Sequence, residues 1–154
     1  MPSTVPLVQT PSALHVEDSQ RSRISLLVIE DEPGSSRMVG RILQRAGYKV
    51  TIAEGGSAGL AALDKETFTV IVTDLFMPEH DGFEILRAAR RQAPTSKTLL
   101  MSGSPRLKEI DYLRIAKHLG ADAALEKPFE VRELLDAIAG LVGDPAALSP
   151  PDPR

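Results

Sequence analysis

Short apolar runs alternate with longer periodic segments through the middle of the chain. The runs are rich in β-branched residues and almost continuously apolar, which is typical of strands buried on both faces of a parallel sheet. This pattern predicts strands at residues 24–30, 48–53, 68–73, 97–101 and 123–126.

The segments between the strands carry apolar residues at helical spacing. Val39, Ile42, Leu43 and Ala46 follow the spacing of a helix that buries one face, and Gly47 is placed to end it. A similar stripe predicts a helix at residues 131–142. Further helices are predicted around residues 59–63 and 83–93 and, with a looser apolar spacing of three, at residues 105–119.

Strict alternation of strand and helix predicts a doubly wound α/β fold. Its parallel sheet of five strands would carry helices on both faces, joined by right-handed crossovers. Ligands of such folds bind beyond the carboxyl ends of the strands, so the residues that follow each strand are the candidates for function.

The two ends of the chain differ from this middle part. Residues 1–23 mix prolines with serine, threonine and glutamine and show no useful periodicity, and residues 144–154 contain four prolines. We expect both ends to be flexible tails, because neither pattern can form a packed element. One globular domain is therefore predicted at residues 24–143.

Composition excludes several classes of protein. The 154 residues carry a net charge of −3, which argues against nucleic acid and anionic membranes as direct partners. The chain has no cysteine, so disulfides and thiolate metal sites are excluded. No apolar run is long enough to cross a bilayer, and the first residues lack the pattern of a secretory signal. We expect a cytoplasmic protein.

Polar residues with matching chemistry follow the predicted strands. Glu30 and Asp31 come at the end of the first strand, and Asp74 comes directly after the third. Ser102 follows the fourth strand, and Lys127 follows the fifth. Because the carboxyl ends of parallel strands lie at one edge of the sheet, we expect these acids, the hydroxyl and the ammonium to converge there.

Four short motifs at these strand ends resemble one family. They are Glu-Asp-Glu after the first strand, Asp-Leu-Phe-Met-Pro-Glu-His-Asp-Gly after the third, Ser-Gly-Ser after the fourth and Lys-Pro-Phe after the fifth. Each is weak alone, but their order at successive strand ends is specific. Over residues 24–143 the chain resembles the receiver domain of two-component response regulators, which implies a flavodoxin-like sheet with strand order 2-1-3-4-5.

The resemblance implies a site for phosphoryl transfer. Asp74 would accept the phosphoryl group as an acyl phosphate. Mg²⁺, which prefers few protein oxygens and several waters, would be bound by Asp31, by Asp74, by the backbone carbonyl of Phe76 and by Glu30, directly or through water. Lys127 would offset the phosphoryl charge, and Ser102 would donate a hydrogen bond to it after transfer.

The resemblance also implies a signalling switch that catalyses only its own phosphorylation and slow dephosphorylation. The phosphoryl donor would be a histidine kinase or a histidine phosphotransfer protein, and the target a downstream protein, with a phosphorylation-dependent homodimer left open. No output domain is recognisable after residue 143, which predicts a single-domain regulator or a receiver trimmed from a longer protein.

Two positions depart from the usual receiver pattern, and a third bears on the lifetime of the acyl phosphate. Ala124 stands where many receivers have an aromatic residue whose rotation accompanies switching, which predicts a smaller packing change here. Glu30 replaces the usual aspartate, with its charge retained. Phe76 lies near the route of an attacking water, and we hypothesise that it slows hydrolysis of the acyl phosphate.

Structural roles compete with functional ones at several residues. Asp31 and Glu32 could serve the first turn of the next helix, and Asp81 most simply begins one. The histidines have no metal-ligand spacing and no partner nucleophile, so we expect them to lie on the surface. They are His15, His80 and His118.

Other classes of function are less favoured. A receiver-like module that binds its partner without phosphate is the main alternative. A magnesium hydrolase with an aspartyl phosphate intermediate would need a second acid just after the nucleophile, where this chain has Leu75 and Phe76. Flavin binding is disfavoured because acids, rather than a hydroxyl-rich phosphate loop, follow the first strand.

Overall fold

A computed structural model describes residues 20–103 and 112–143 of the chain. Five parallel strands form one sheet in the order β2-β1-β3-β4-β5, which confirms the predicted fold. The strand bounds agree with the predicted ones to within two residues. They are β1 Ser25–Ile29, β2 Lys49–Ala53, β3 Val70–Asp74, β4 Lys97–Ser102 and β5 Ala123–Glu126.

Helices cover both faces of the sheet. Apolar residues of α1 and α5 pack on one face, and those of α2, α3 and α4 pack on the other. The part of the fourth predicted helix before residue 112 lies outside the described residues. The bounds are α1 Pro33–Arg45, α2 Gly56–Lys65, α3 Gly82–Gln92, α4 Tyr112–His118 and α5 Val131–Val142.

The core lies on both sides of the central strands. Leu26 and Val28 of β1 pair in register with Val70 and Val72 of β3, and all four side chains are fully buried. Burying a side chain of this size contributes about 2 kcal/mol. The edge strands β2 and β5 are only partly buried, so the prediction of burial on both faces holds for β1, β3 and β4.

Two predicted helix stripes differ in their outcome. In α1, Val39 and Leu43 are buried, while Gly47 adopts a φ of 101° just after the helix, as the sequence predicts for a terminating glycine. In α5, Leu134 and Ile138 are buried, but Val131 is 53% exposed. The prediction that Val131 is buried with this stripe is wrong, since at the first residue of α5 the side chain stays in contact with solvent.

Polar side chains cap the N-termini of α1 and α3. Glu32 accepts hydrogen bonds from the backbone N–H groups of Gly34 and Ser35, and Asp81 accepts one from Glu84. These contacts satisfy N–H groups that have no partner within the helix. The structural readings of Glu32 and Asp81 are therefore confirmed.

The ends of the chain are described only in part. Residues 20–21 are helical and residues 22–23 form a turn before β1, and Arg21 donates a hydrogen bond to the backbone carbonyl of Ala46. Residues 1–19 and 144–154, with most of the predicted tails, lie outside the described residues. Within the described ranges, no helix has the length and apolar character that a membrane span requires.

Candidate functional site

The predicted site residues meet at the carboxyl edge of the sheet. Asp74 and Ser102 are the last residues of β3 and β4, rather than the first residues of the loops. The hydrogen-bond ladder continues past the strands, since the N–H of Lys127 donates to Ser102 O at 2.7 Å and that of Glu30 to Ala53 O at 3.2 Å. These backbone hydrogen bonds fix the positions from which the Glu30 and Lys127 side chains project at the carboxyl edge.

Three carboxylates form the acidic part of this site. One oxygen from each of Glu30, Asp31 and Asp74 lies within 4.8 Å of the other two. Glu30 is 2% exposed and Asp74 is 8% exposed, whereas Asp31 is solvent-exposed. Hard oxygen ligands at this spacing fit a divalent cation such as Mg²⁺.

Lys127 provides the positive charge between the buried acids. Its Nζ lies 2.7 Å from Glu30 Oε2 and 3.5 Å from Asp74 Oδ2. The lysine is therefore closer to Glu30 than to the predicted phospho-acceptor. The sequence motifs did not indicate this pairing, because 97 residues separate the two partners.

Burial and charge shift the ionisation of both partners. Burial raises the pKa of the Asp74 carboxyl to about 6, with Lys127 opposing this shift and the negative charge of Glu30 adding to it. Burial lowers the pKa of Lys127, but the hydrogen bond to Glu30 and the charge of Asp74 outweigh it, so that the net shift is upward. Asp74 is thus mainly ionised at neutral pH and Lys127 is charged.

A glycine makes room for the lysine. A Cβ atom at Gly103 would lie 2.9 Å from the Cβ of Lys127, closer than side chains tolerate. The backbone after β4 therefore packs directly on the stem of Lys127. In the sequence, the only signal for this role of Gly103 is its place directly after Ser102.

Ser102 is buried at this edge without a hydrogen-bond partner. The residue is 5% exposed, and among the described residues its Oγ is the buried side-chain polar atom that lacks a partner. An unsatisfied buried hydroxyl costs about 1–3 kcal/mol, so its presence calls for an explanation. A ligand oxygen brought to the site would provide the missing acceptor.

The loop after Asp74 is anchored by alternate side chains. Leu75 and Met77 are buried in the core that α2, α3 and α4 cover, whereas Phe76 between them is 49% exposed. The N–H of Leu75 donates to Asp74 Oδ1 at 2.9 Å and fixes the orientation of that carboxylate. The Phe76 side chain is consequently available at the rim of the site.

The far end of this loop rests on α2. Ser57 Oγ donates a hydrogen bond to Glu79 Oε2 at 2.9 Å, and a Cβ at Gly56 would lie 2.5 Å from the Cβ of His80. His80 is partly exposed, and its Nδ1 is paired with Glu84 Oε2 at 2.6 Å. Sequence reasoning missed these contacts, because neither Gly56 nor Ser57 lies in a motif of the site.

The remaining predicted positions fall outside the acidic cluster. His118 is exposed at the end of α4, as predicted, and His15 lies outside the described residues. Ala124 is partly buried against the cluster that contains Leu100 and Ala116. The position that carries an aromatic residue in many receivers is thus filled by a small side chain.

Comparison with known proteins identifies the class. The family described as "Response regulator receiver domain" matches residues 26–139. The chain is 31% identical over 118 residues to the response regulator receiver protein CpdR of Brucella abortus, a match that covers 73% of this chain and 92% of CpdR. The chain therefore belongs to the receiver-domain family of response regulators, a family of signalling switches.

Other relatives agree in fold and differ in length. The structure of the chemotaxis response regulator CheY4 of Vibrio cholerae is 31% identical, with a TM-score of 0.68, and the match covers 77% of this chain and 98% of CheY4. The transcriptional regulatory protein TrcR of Mycobacterium tuberculosis is 32% identical over 122 residues, but the match covers only 46% of TrcR. This chain spans about half the length of that relative.

Proposed function

We propose that Asp74 accepts a phosphoryl group from a phosphohistidine in a Mg²⁺-dependent reaction. The donor is a histidine kinase or a histidine phosphotransfer protein, and the phosphorylated domain changes its affinity for a downstream protein. One observation carries the proposal: the buried Asp74 carboxylate lies beside Lys127 and within 4.8 Å of the Glu30 and Asp31 carboxylates. This combination supplies a nucleophile, a positive charge and oxygen ligands.

The phosphoryl transfer is a displacement at phosphorus. An Asp74 oxygen attacks, the phosphorus–oxygen bond of an acyl phosphate forms, and the phosphorus–nitrogen bond to the donor imidazole breaks. The freed imidazole nitrogen is left to take up a proton. Ionisation at neutral pH makes Asp74 competent to attack, and Lys127 reduces the build-up of negative charge.

The acidic residues fit the divalent cation that this chemistry needs. Asp31, Asp74 and the carbonyl of Phe76 would hold Mg²⁺, and Glu30 is near enough to take part directly or through water. The cation would offset charge on the phosphoryl oxygens.

Switching would use the Ser102 hydroxyl, which has no hydrogen-bond partner within residues 20–103 and 112–143. After transfer, the Ser102 hydroxyl donates to a phosphoryl oxygen, which draws the end of β4 toward Asp74. A contact that exists only in the phosphorylated state can shift the population of conformations. Because Ala124 is small, the accompanying change in packing is small.

Intact mass after incubation with a small phosphodonor tests this function. We expect the wild type to gain one phosphoryl group with Mg²⁺ present and none with a chelator. Asp74→Ala should gain none, and Asp64→Ala should behave as the wild type because Asp64 is an exposed acid on α2. No gain in the wild type, with a phosphohistidine donor also tried, would favour the module that binds its partner without phosphate.

Phe76 should set the lifetime of the phosphorylated state. Its exposed ring would shield the acyl phosphate from water, so Phe76→Asn should speed loss of the phosphoryl group about fivefold, equivalent to about 1 kcal/mol of barrier. The decay of the phosphorylated mass measures this, with Ile115→Asn as an exposed apolar control on α4. Equal decay in Phe76→Asn and the wild type would refute the shielding role.

A further inference from the structure

We propose that the groove between α2 and α3 binds a segment of a partner protein that combines acidic and apolar residues. The arginines on the rim of the groove pair with the acids, and the apolar floor receives the apolar side chains. This α2–α3 groove has a volume of about 640 Å³. It is lined by Leu60 of α2 and by Glu84, Arg87, Ala88, Arg90 and Arg91 of α3.

The floor of the α2–α3 groove is apolar. Ala88 is 2% exposed, and Leu60 is partly buried against the same core cluster. A groove with an apolar floor and a charged rim is typical of surfaces that bind a peptide, because apolar contacts provide affinity and charges fix the orientation. A small inorganic anion would leave this floor uncovered, which favours a peptide as the ligand.

The rim carries three arginines without a counter-charge. Within residues 20–103 and 112–143, the side chains of Arg87, Arg90 and Arg91 form no ion pair or hydrogen bond. Arg87 and Arg91 lie four residues apart on the helix, so their like charges are neighbours and repel each other. Carboxylates of a partner would pair with these guanidinium groups, whose planar shape suits them.

The acids nearest to the rim have other partners. Glu84 lines the groove but pairs with His80 at 2.6 Å, and Asp64 of α2 accepts a hydrogen bond from Gln92 Nε2 at 2.8 Å. Neither carboxylate neutralises an arginine of the rim. The positive charge of the groove is therefore available to a partner, although the whole chain carries a net charge of −3.

The backbone before β5 orders one of these arginines. A Cβ atom at Gly120 would collide with the guanidinium of Arg90, so the guanidinium packs directly against the backbone there. Arg90 is exposed, yet this contact limits the freedom of its side chain. An ordered side chain loses less conformational entropy when a partner binds, which favours Arg90 as an anchor.

The rim of the groove lies away from the phosphorylation site. Gly82 at the start of α3 adjoins Asp74, since a Cβ atom there would lie 2.6 Å from the backbone carbonyl oxygen of Asp74. At about 1.5 Å of rise per residue, Arg91 lies about 13 Å further along the helix. Binding in the groove should therefore not depend on phosphorylation, and it does not rest on the proposed function.

NMR titration of the full chain with a synthetic peptide tests the groove. The probe is Asp-Glu-Leu-Asp-Glu-Leu-Asp-Glu, and we expect it to shift the amide signals of Leu60 and of residues 84–91. Arg87→Gln, Arg90→Gln and Arg91→Gln together should weaken binding at least about tenfold. Absence of these shifts in the wild type would overturn the proposal.

The arginines of α1 provide a matched control. Arg37, Arg41 and Arg45 are exposed, and α1 packs on the other face of the sheet. Their joint replacement by glutamine removes the same charge and should weaken binding by less than about threefold. Equal weakening by the two triple variants would indicate general attraction between charges and would overturn the proposal. Thermal unfolding of both variants verifies that they fold.

Two further titrations separate the contributions to binding. A probe in which serine replaces both leucines should bind at least about threefold more weakly, and equal affinity would contradict the role of the apolar floor. The phosphorylated and unphosphorylated wild type should bind the original probe equally, and a difference would contradict the separation of the two sites. If the wild type takes up no phosphoryl group, the proposed function fails, and the peptide titrations still decide whether the groove binds.

Discussion

The two edges of the sheet use similar residues in opposite ways. At the amino edge, polar side chains are satisfied by the strands beside them. Thr98 N–H donates to Asp122 Oδ2 at 2.9 Å, the N–H of Asp122 donates to Thr98 Oγ1 at 3.2 Å, and Ser96 Oγ donates to Phe68 O at 2.6 Å. These contacts join the starts of neighbouring strands.

At the carboxyl edge, comparable residues are buried, but within the described residues they share a partner or lack one. Asp74 and Glu30 share one lysine, and Ser102 Oγ lacks a partner among the described residues. Buried polar groups that fail to satisfy one another reduce stability, and they persist where a ligand completes them. The two edges therefore differ in the partners of their aspartates and serines rather than in the types of residue they carry.

The aromatic residues on either side of β3 should show the largest difference in stability. Phe68, before β3, is 4% exposed, and Phe76, after it, is 49% exposed. Phe68→Ala should lower the free energy of unfolding by about 3–5 kcal/mol through loss of buried contacts. Phe76→Ala should lower it by less than about 0.5 kcal/mol. Urea unfolding measures both, and a similar loss in the two variants would contradict the distinction.

Aspartates at the two edges should respond with opposite signs. Asp74→Asn removes a buried charge whose pKa is raised to about 6, so at pH 7 without metal it should stabilise the fold by up to about 3 kcal/mol. Asp122→Ala removes the acceptor for Thr98 and should destabilise by about 1–3 kcal/mol. Destabilisation by Asp74→Asn in urea unfolding would show that its charge is well accommodated.

The pH dependence of stability follows from the same shift. The folded state binds the proton of Asp74 more tightly than the unfolded state, whose pKa is near the ordinary value of 3.8. The resulting stability is present below pH 4 and is lost as pH rises to about 6, amounting to about 3 kcal/mol. The difference in unfolding free energy between wild type and Asp74→Asn should therefore grow over this range in metal-free buffer. A constant difference would contradict the raised pKa.

Serines at the two edges should give the smallest contrast. Ser96→Ala removes the hydrogen bond to Phe68 O and should cost about 1 kcal/mol. Ser102→Ala removes a hydroxyl that has no partner among the described residues, so stability should be unchanged or raised by up to about 1 kcal/mol. Thermal unfolding of both variants compares them, and a loss in Ser102→Ala equal to that in Ser96→Ala would reveal a partner for Ser102.

The sheet and the members of its site could be predicted because their signals are local. Apolar runs mark β1, β3 and β4, and the residues at their ends must meet at one edge whatever the loops do. The contacts within the site could not be predicted in this way. The choice of Lys127 between Glu30 and Asp74 depends on distances of 2.7 and 3.5 Å, which no motif encodes.

Tertiary packing explains the other differences. Val131 fits the helical stripe of α5 but is exposed, because periodicity does not reveal which residues of a helix the neighbouring elements cover. Gly56 and Gly103 resemble ordinary loop or helix-start residues, and their roles follow from close approach to His80 and Lys127. Such requirements appear only when separate segments are brought together.

Locating the phosphoryl group on the chain tests the central claim most directly. Borohydride reduces an acyl phosphate to an alcohol, so treatment of the phosphorylated protein followed by peptide sequencing by mass spectrometry identifies the modified carboxyl. We predict reduction at Asp74 alone, with Asp31 and Glu30 unchanged in the same sample. Reduction at another carboxyl, or phosphorylation that leaves Asp74 unmodified, would contradict the account.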